Sequence, residues 1–162
     1  MRKHMMKIAV FLLVLFMTSN LLALDFNKRK SLNAVAVDFS LNDLSGKKVS
    51  LSSYQGKKVI LFFWTTWCPF CLKEMAHLNK EYSNLENDGI SLLAINIDES
   101  KAKIDSFARK NAIKFPILLD EGAMVAEDYE VFGIPTIILI NSEGKIVSLG
   151  NNLPEDYVEL LG

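Results

Sequence analysis

Two cysteines, the whole thiol content of a 162-residue chain, stand three apart in the segment FFWTTWCPFCLKEM at 62–75. Thiols at i and i+3 can close a small disulfide within one helical turn, which suits them to reversible oxidation and thiol-disulfide exchange. Cys68 falls where a helix should begin. The partial positive charge and unpaired N–H groups of a helix start favour a thiolate, which would draw the Cys68 pKa below the free value of about 8.5. Cys68 is therefore the expected attacking sulfur, and Pro69 fits the first helical position, where its missing N–H costs nothing. Cys71 falls in the apolar stripe of the same helix, sheltered and placed to attack a mixed disulfide made by Cys68. That makes it the expected resolving thiol. A static disulfide closing so short a loop would remove little chain entropy and add little stability.

The neighbours of the pair carry further possibilities. Glu74, three residues after Cys71, allows two readings: a carboxyl partly out of water that moves protons for Cys71, or an exposed glutamate favoured by the helix dipole. Trp67, immediately before Cys68, reads as surface around the sulfur, and Trp64 as a core aromatic. His77, the only histidine beyond the N-terminal segment, lies about 120° around the helix from Cys71 and reads as a solvated residue. Zinc usually wants four ligands, which the pair lacks, although two thiolates could accept soft Cu(I); a copper-handling module is the non-catalytic alternative. Were the bond from Ile134 to Pro135 cis, the backbone of Ile134 would be free to pair with an extended peptide beside Cys68.

These residues need a scaffold, and the pattern supplies one. VDFSLNDLSGKKVSLSSYQG alternates apolar and polar residues on each side of SGKK, a hairpin signal. VILFFW at 59–64 is continuously apolar and β-branched or aromatic, as in a strand covered on both faces. From Pro69 to about Asn87 the period becomes helical, with Cys71, Met75, Leu78, Tyr82 and Leu85 on one stripe. GISLLAINI at 89–97 reads as the parallel partner strand. A helix over DESKAKIDSFARKN follows, with Ser100 as N-cap and Ile104, Phe107 and Ala108 inward. Then come a short strand in KFPILL, a helical turn around GAMVAEDY, a second hairpin of IPTIILIN and KIVSLG turning at SEGK, and a short helix after Pro154. The whole is an α/β chain with a mixed sheet and helices on both faces. The cysteines sit at the carboxyl end of the central strand, where open α/β sheets place their sites.

Bulk properties limit the partners. At 50% hydrophobic composition the chain can bury one ordinary core. Its 18 basic and 19 acidic side chains form no sustained basic stripe, so nucleic acid is not an expected partner. MRKHMMK followed by the apolar run at 8–17 and by Leu21, Leu22 and Leu24 reads as an export signal or an N-terminal membrane anchor. The expected organisation is 1–24 signal or anchor, 25–36 linker and 37–162 a single domain. Without Arg2, Lys3 and Lys7, 15 basic and 19 acidic groups remain, a formal charge of −4.

From residue 37 to residue 147 the chain resembles the thioredoxin superfamily, specifically the exported thiol-disulfide oxidoreductases of the TlpA/ResA type. The resemblance rests on DFSLNDLSGKKVSLSSYQGKKVILFFWTTWCPFC, on the Lys73-Glu74 pair, on the insertion NIDESKAKIDSFARKNAIKFPILLD and on VFGIPTIILINSEGKIV. It implies a thioredoxin-like three-layer sandwich with a central mixed sheet, an N-terminal β-hairpin and a central αβ insertion. It also implies Cys68 as nucleophile and Cys71 as resolver of a redox-active disulfide, with Glu74 as the glutamate that this branch keeps near its cysteines. The implied substrate-binding surface is Trp67, Pro69, Phe70, Ile134, Pro135 as the family's cis proline, and Thr136. Phe62 stands where thioredoxin carries a buried aspartate, which leaves proton transfer to Glu74 or water.

The activity so implied is reduction of disulfides in exported, extracytoplasmic proteins, with apocytochrome c as the substrate class and a membrane dithiol as electron donor. No cofactor is implied. Pro69-Phe70 departs from the Glu-Pro and Pro-Pro common in the branch. Potentials on such folds run from roughly −270 to −120 mV, so a disulfide-forming oxidant is an alternative. A thiol peroxidase is another: Thr65 satisfies the threonine of the Pro-x-x-x-Thr-x-x-Cys pattern of peroxiredoxins, but Leu61 stands where its proline should be.

Overall fold

A computed structural model describes residues 32–162; the apolar run at 8–24 and most of the expected linker lie outside the described residues. In chain order the elements are β1 (Ser40–Asp43), β2 (Lys48–Ser50), a 3-10 turn (Leu51–Tyr54), β3 (Lys58–Trp64), α1 (Pro69–Asn87), β4 (Ile90–Ile97), α2 (Lys101–Lys110), β5 (Ile117–Asp120), α3 (Met124–Asp128), β6 (Thr136–Ile140), β7 (Ile146–Gly150) and α4 (Tyr157–Leu161). All seven strands form one sheet in the order β2-β1-β5-β4-β3-β6-β7. The unbroken apolar run of β3 is explained by its place: it pairs in parallel with β4 and antiparallel with β6. β5 extends the parallel part, and the β1–β2 hairpin joins β5 antiparallel.

Because side chains alternate across a strand, β3 serves two cores at once. Ile60, Phe62 and Trp64 pack with Met75 and Leu78 of α1, Ile104 of α2 and Leu161 of α4. Val59, Leu61 and Phe63 face Leu51 of the 3-10 turn, Val125 and Ala126 of α3, and Tyr129. The result is the three-layer thioredoxin-like sandwich. Leu78 is fully buried, so Leu78→Ala is expected to cost about 2–5 kcal/mol. Urea unfolding should show that loss while the reactivity of the cysteines in the folded protein is unchanged.

Three local features differ from the sequence expectation. Alternation does not continue past β2, because Asp38 Oδ1 takes the Ser52 N–H at 2.9 Å and the chain turns into the 3-10 segment. Residues 33–36, assigned above to the linker, run against the second hairpin: Asn33 N–H donates to the Ile146 carbonyl and Ala36 N–H to that of Gly144. Ser100 occupies the N-cap of α2, but its hydroxyl caps nothing; its carbonyl accepts from the Lys103 and Ile104 N–H groups instead. Among the described residues no helix is long and apolar enough to cross a membrane.

Candidate active site

β3 ends at Trp64, a three-residue loop follows, and Cys68 is the N-cap of α1 with φ −87° and ψ 110°. The helix start is turned on that sulfur: Cys71 N–H donates to Cys68 Sγ at 3.2 Å, while Cys68 Sγ lies 3.7 Å from the Ile134 carbonyl oxygen as its donor. Both cysteines are free thiols. Cys71 lies one turn into the helix and is wholly out of solvent. Burial pushes its thiol up from an ordinary 9.0 to about 12; the hydrogen bond and charge of Cys68 add to the rise, and the backbone of Thr65 pulls the other way. Cys71 is thus protonated at neutral pH and needs a proton acceptor before it can attack.

The opposite wall is the turn into β6. The Ile134–Pro135 bond is cis, and Pro135 presents its carbonyl to Asn151 Nδ2, which donates to it at 2.8 Å. Thr136 is buried, and its hydroxyl donates to the Gly133 carbonyl at 2.6 Å, so its side chain braces the turn. Glu74 is buried as well, and its Oε1 accepts the Leu153 N–H at 2.8 Å. His77 Nδ1 stands 3.5 Å from the same oxygen. A groove of about 590 Å³ runs past these groups, lined by Phe70, Glu74, His77, Ile134, Pro135 and Leu153 among others. On the outside, Trp67 and Phe70 are 67% and 75% exposed, and Phe132, two residues before Ile134, is 91% exposed. Large aromatics left in water, Trp67 and Phe70 on either side of Cys68 in the chain, offer apolar contact to a polypeptide. Trp64, by contrast, is fully buried and packs on Phe107 with ring centroids 5.2 Å apart.

The structure therefore brings Cys68, Cys71, Pro69 and Ile134 into one site, with Glu74 and Pro135 along its groove. Sequence reasoning missed Asn151, Leu153 and Glu99, and the contact that His77 makes. His77 is solvated as expected, its side chain 47% exposed, and it also stands 3.5 Å from Glu74 Oε1. Asn151 and the Leu153 N–H come from the segment after β7, which carries no motif. Glu99, whose carboxylate takes the Thr66 N–H and hydroxyl, carries a positional signal alone, just past the carboxyl end of the strand next to β3.

A Cys-x-x-Cys pair heading a helix at the end of the central strand of this sandwich defines a thiol-disulfide oxidoreductase of thioredoxin-like fold. Residues 32–149 match the model of the AhpC/TSA family, and the chain belongs to that family. It is 36% identical over 131 residues to the thiol-disulfide oxidoreductase ResA of Bacillus subtilis, covering 78% of this chain and 73% of that protein. With ResA of Geobacillus thermodenitrificans the identity is 36% over 165 residues, covering 99% of this chain and 95% of the relative. Among solved structures, the thioredoxin domain of a Bacteroides vulgatus thiol-disulfide oxidoreductase superposes with a TM-score of 0.70 at 30% identity, over 79% of this chain and 92% of that one.

Proposed function

We propose that the protein reduces disulfides of exported proteins outside the cytoplasm, with residues 8–24 serving as export signal or membrane anchor. Cys68 gives up its proton and attacks one sulfur of the substrate disulfide; that S–S bond breaks, and one substrate thiolate leaves and takes up a proton. Cys71 then gives up its proton and attacks Cys68, which expels the second substrate thiolate. Two electrons have passed to the substrate, and the Cys68–Cys71 disulfide remains for a membrane dithiol donor to reduce. The observation that carries this reading is the position of Cys68 Sγ, held between the Cys71 N–H and the Ile134 carbonyl, with a protonated partner sealed beneath it. The exposed Trp67 and Phe70, with Pro69, Ile134, Pro135 and the turn braced by Thr136, form the substrate surface. Apocytochrome c, whose haem-attachment cysteines must be reduced, is the preferred substrate class. The test is stoichiometric: reduced protein mixed with a disulfide-closed Cys-x-x-Cys-His peptide should release two peptide thiols per Cys68–Cys71 disulfide formed. Absence of thiol release from this peptide and from other protein disulfides overturns the proposal.

Glu74 is proposed to receive the Cys71 proton, and it has a structural task that can be separated from that role. Glu74→Ala leaves the Leu153 N–H without its acceptor, an expected loss of about 1–3 kcal/mol. Glu74→Gln keeps an acceptor oxygen and should restore most of that stability. Turnover should stay down by about 10² in both variants; a Gln variant with full turnover removes Glu74 from the chemistry.

A further inference from the structure

Beyond a backbone contact of Thr65 with the Cys71 thiol, the loop at 65–67 that delivers Cys68 has little of its own to hold it. Trp67 is two-thirds exposed, and the Thr65 hydroxyl is buried without a protein hydrogen-bond partner. Its anchor is Thr66, and both polar groups of Thr66 go to one carboxylate: the N–H donates to Glu99 Oε2 at 2.7 Å and the hydroxyl to Glu99 Oε1 at 2.6 Å. Glu99 is itself fixed. Asn96 Nδ2 donates to Oε2 at 2.8 Å and Lys103 Nζ to Oε1 at 2.6 Å, and the Glu99 side chain is 6% exposed. Burial raises its pKa, but the bonds from Asn96, Lys103 and Thr66 outweigh that and hold the carboxyl below its ordinary range. The group that grips the loop is therefore an ionised acceptor at neutral pH.

We infer that Glu99 is a positioning residue for the redox pair: by clamping Thr66 it fixes the loop that sets Cys68 at the N-cap, and so the placement of the Cys68 sulfur relative to Cys71. Closing the disulfide requires both sulfurs in one narrow geometry. Cys71 is set by α1 and its core packing, whereas the N-cap backbone of Cys68 is continuous with the clamped loop. Freeing the loop spreads the positions of Cys68 and lowers the effective concentration of one thiol at the other. The effect falls on the oxidised form, making the disulfide less favoured. This inference rests on Cys68 and Cys71 being the redox pair of the proposed function, and it makes the insertion between β4 and β5 part of the active site.

The four bonds to Glu99 give the test its controls. In Glu99→Gln an amide oxygen can keep the Thr66 and Asn96 N–H bonds while the amide NH2 turns to the Thr66 hydroxyl, which can reverse and accept. The amide NH2 cannot accept from Lys103 Nζ, which is half-exposed and can turn out to water, so the loop bonds survive while the charge and the ion pair are lost. Lys103→Ala removes the ion pair and leaves the loop bonds. The exchange equilibrium of the Cys68–Cys71 disulfide with dithiothreitol is measured on each full-length variant. Glu99→Ala is expected to disfavour the disulfide about tenfold, equal to about 30 mV, with Glu99→Gln and Lys103→Ala within about threefold of wild type. Should Glu99→Ala not fold, Thr66→Val, which removes only the hydroxyl bond, carries the test with a smaller shift in the same direction. An unchanged equilibrium in the folded Ala variant, or in Thr66→Val where it stands in, overturns the inference, and so does a Gln variant that matches Ala, which would assign the effect to charge. A wild type that releases no substrate thiols, combined with a shifted equilibrium in Glu99→Ala, would end the proposed function and leave this inference standing. The reverse pair of results would do the opposite.

Discussion

The Cys71→Ser protein is expected to lose disulfide turnover by roughly three orders of magnitude or more, as removal of one member of a catalytic unit does, and to accumulate as covalent adducts of Cys68. The cause is geometric. Cys68 has the helix start and the Ile134 carbonyl around its sulfur, so its first attack does not need Cys71 as a nucleophile. Release does, because the only other cysteine of the chain is the buried one a turn away. A serine hydroxyl there cannot displace a thiolate from a mixed disulfide. Adducts recovered from the cell envelope under non-reducing conditions should dissociate with dithiothreitol and contain exported, cysteine-bearing proteins. Cys68→Ser should give none while losing turnover to the same extent. Adducts of equal yield from both variants would mean that the order of the two sulfurs is wrong; the absence of adducts from Cys71→Ser would remove the exchange mechanism.

How far the sequence carried can be seen residue by residue. The two-faced burial of β3 was legible because VILFFW has no polar position to spare for water, and the register of α1 because Cys71, Met75, Leu78, Tyr82 and Leu85 share one stripe. All are buried but Tyr82, which is half-buried. Elements whose identity depends on one side-chain bond were not legible: the Asp38 bond that ends alternation at Leu51 reaches 14 residues along the chain, and periodicity has no term for it. The same holds in the site. Cys68 and Cys71 announce themselves by type and spacing. Glu99 reaches Thr66 across 33 positions and Leu153 reaches Glu74 across 79, so neither contact exists until the sheet order is known. Even there a physical cue was present, since β3 and β4 are parallel neighbours and their carboxyl ends must open on the same side.

The reduced protein is expected to become unstable in alkali more steeply than the oxidised one, and Cys71 sets the difference. Its thiol titrates near 12 when folded against an ordinary 9.0, because burial penalises the thiolate. Below pH 9 folded and unfolded chains both keep this proton, and the contribution is fully present. Between 9 and 12 the unfolded chain releases the proton while the folded chain retains it. The unfolded state then binds fewer protons, so stability falls as pH rises, by up to about 1.4 kcal/mol per pH unit for one group. The buried Tyr129, whose pKa is also raised, chiefly by burial, adds a fall of the same sign, but it is common to every form compared. Oxidation removes both thiols from the titration; Cys71→Ala removes this one and keeps Cys68. Urea midpoints of the reduced wild type should therefore drop faster from pH 8 to 10.5 than those of the disulfide form or of Cys71→Ala. Iodoacetamide should label Cys71 on the order of 10³ times more slowly in the folded chain than in the unfolded chain at pH 8, the ratio of thiolate that a three-unit rise implies. Parallel slopes for reduced wild type and Cys71→Ala would show that Cys71 ionises in the fold as freely as out of it. At an ordinary 9.0 the resolving thiol would still have to lose a proton, but water could take it, and the case for Glu74 as a dedicated acceptor would fall away.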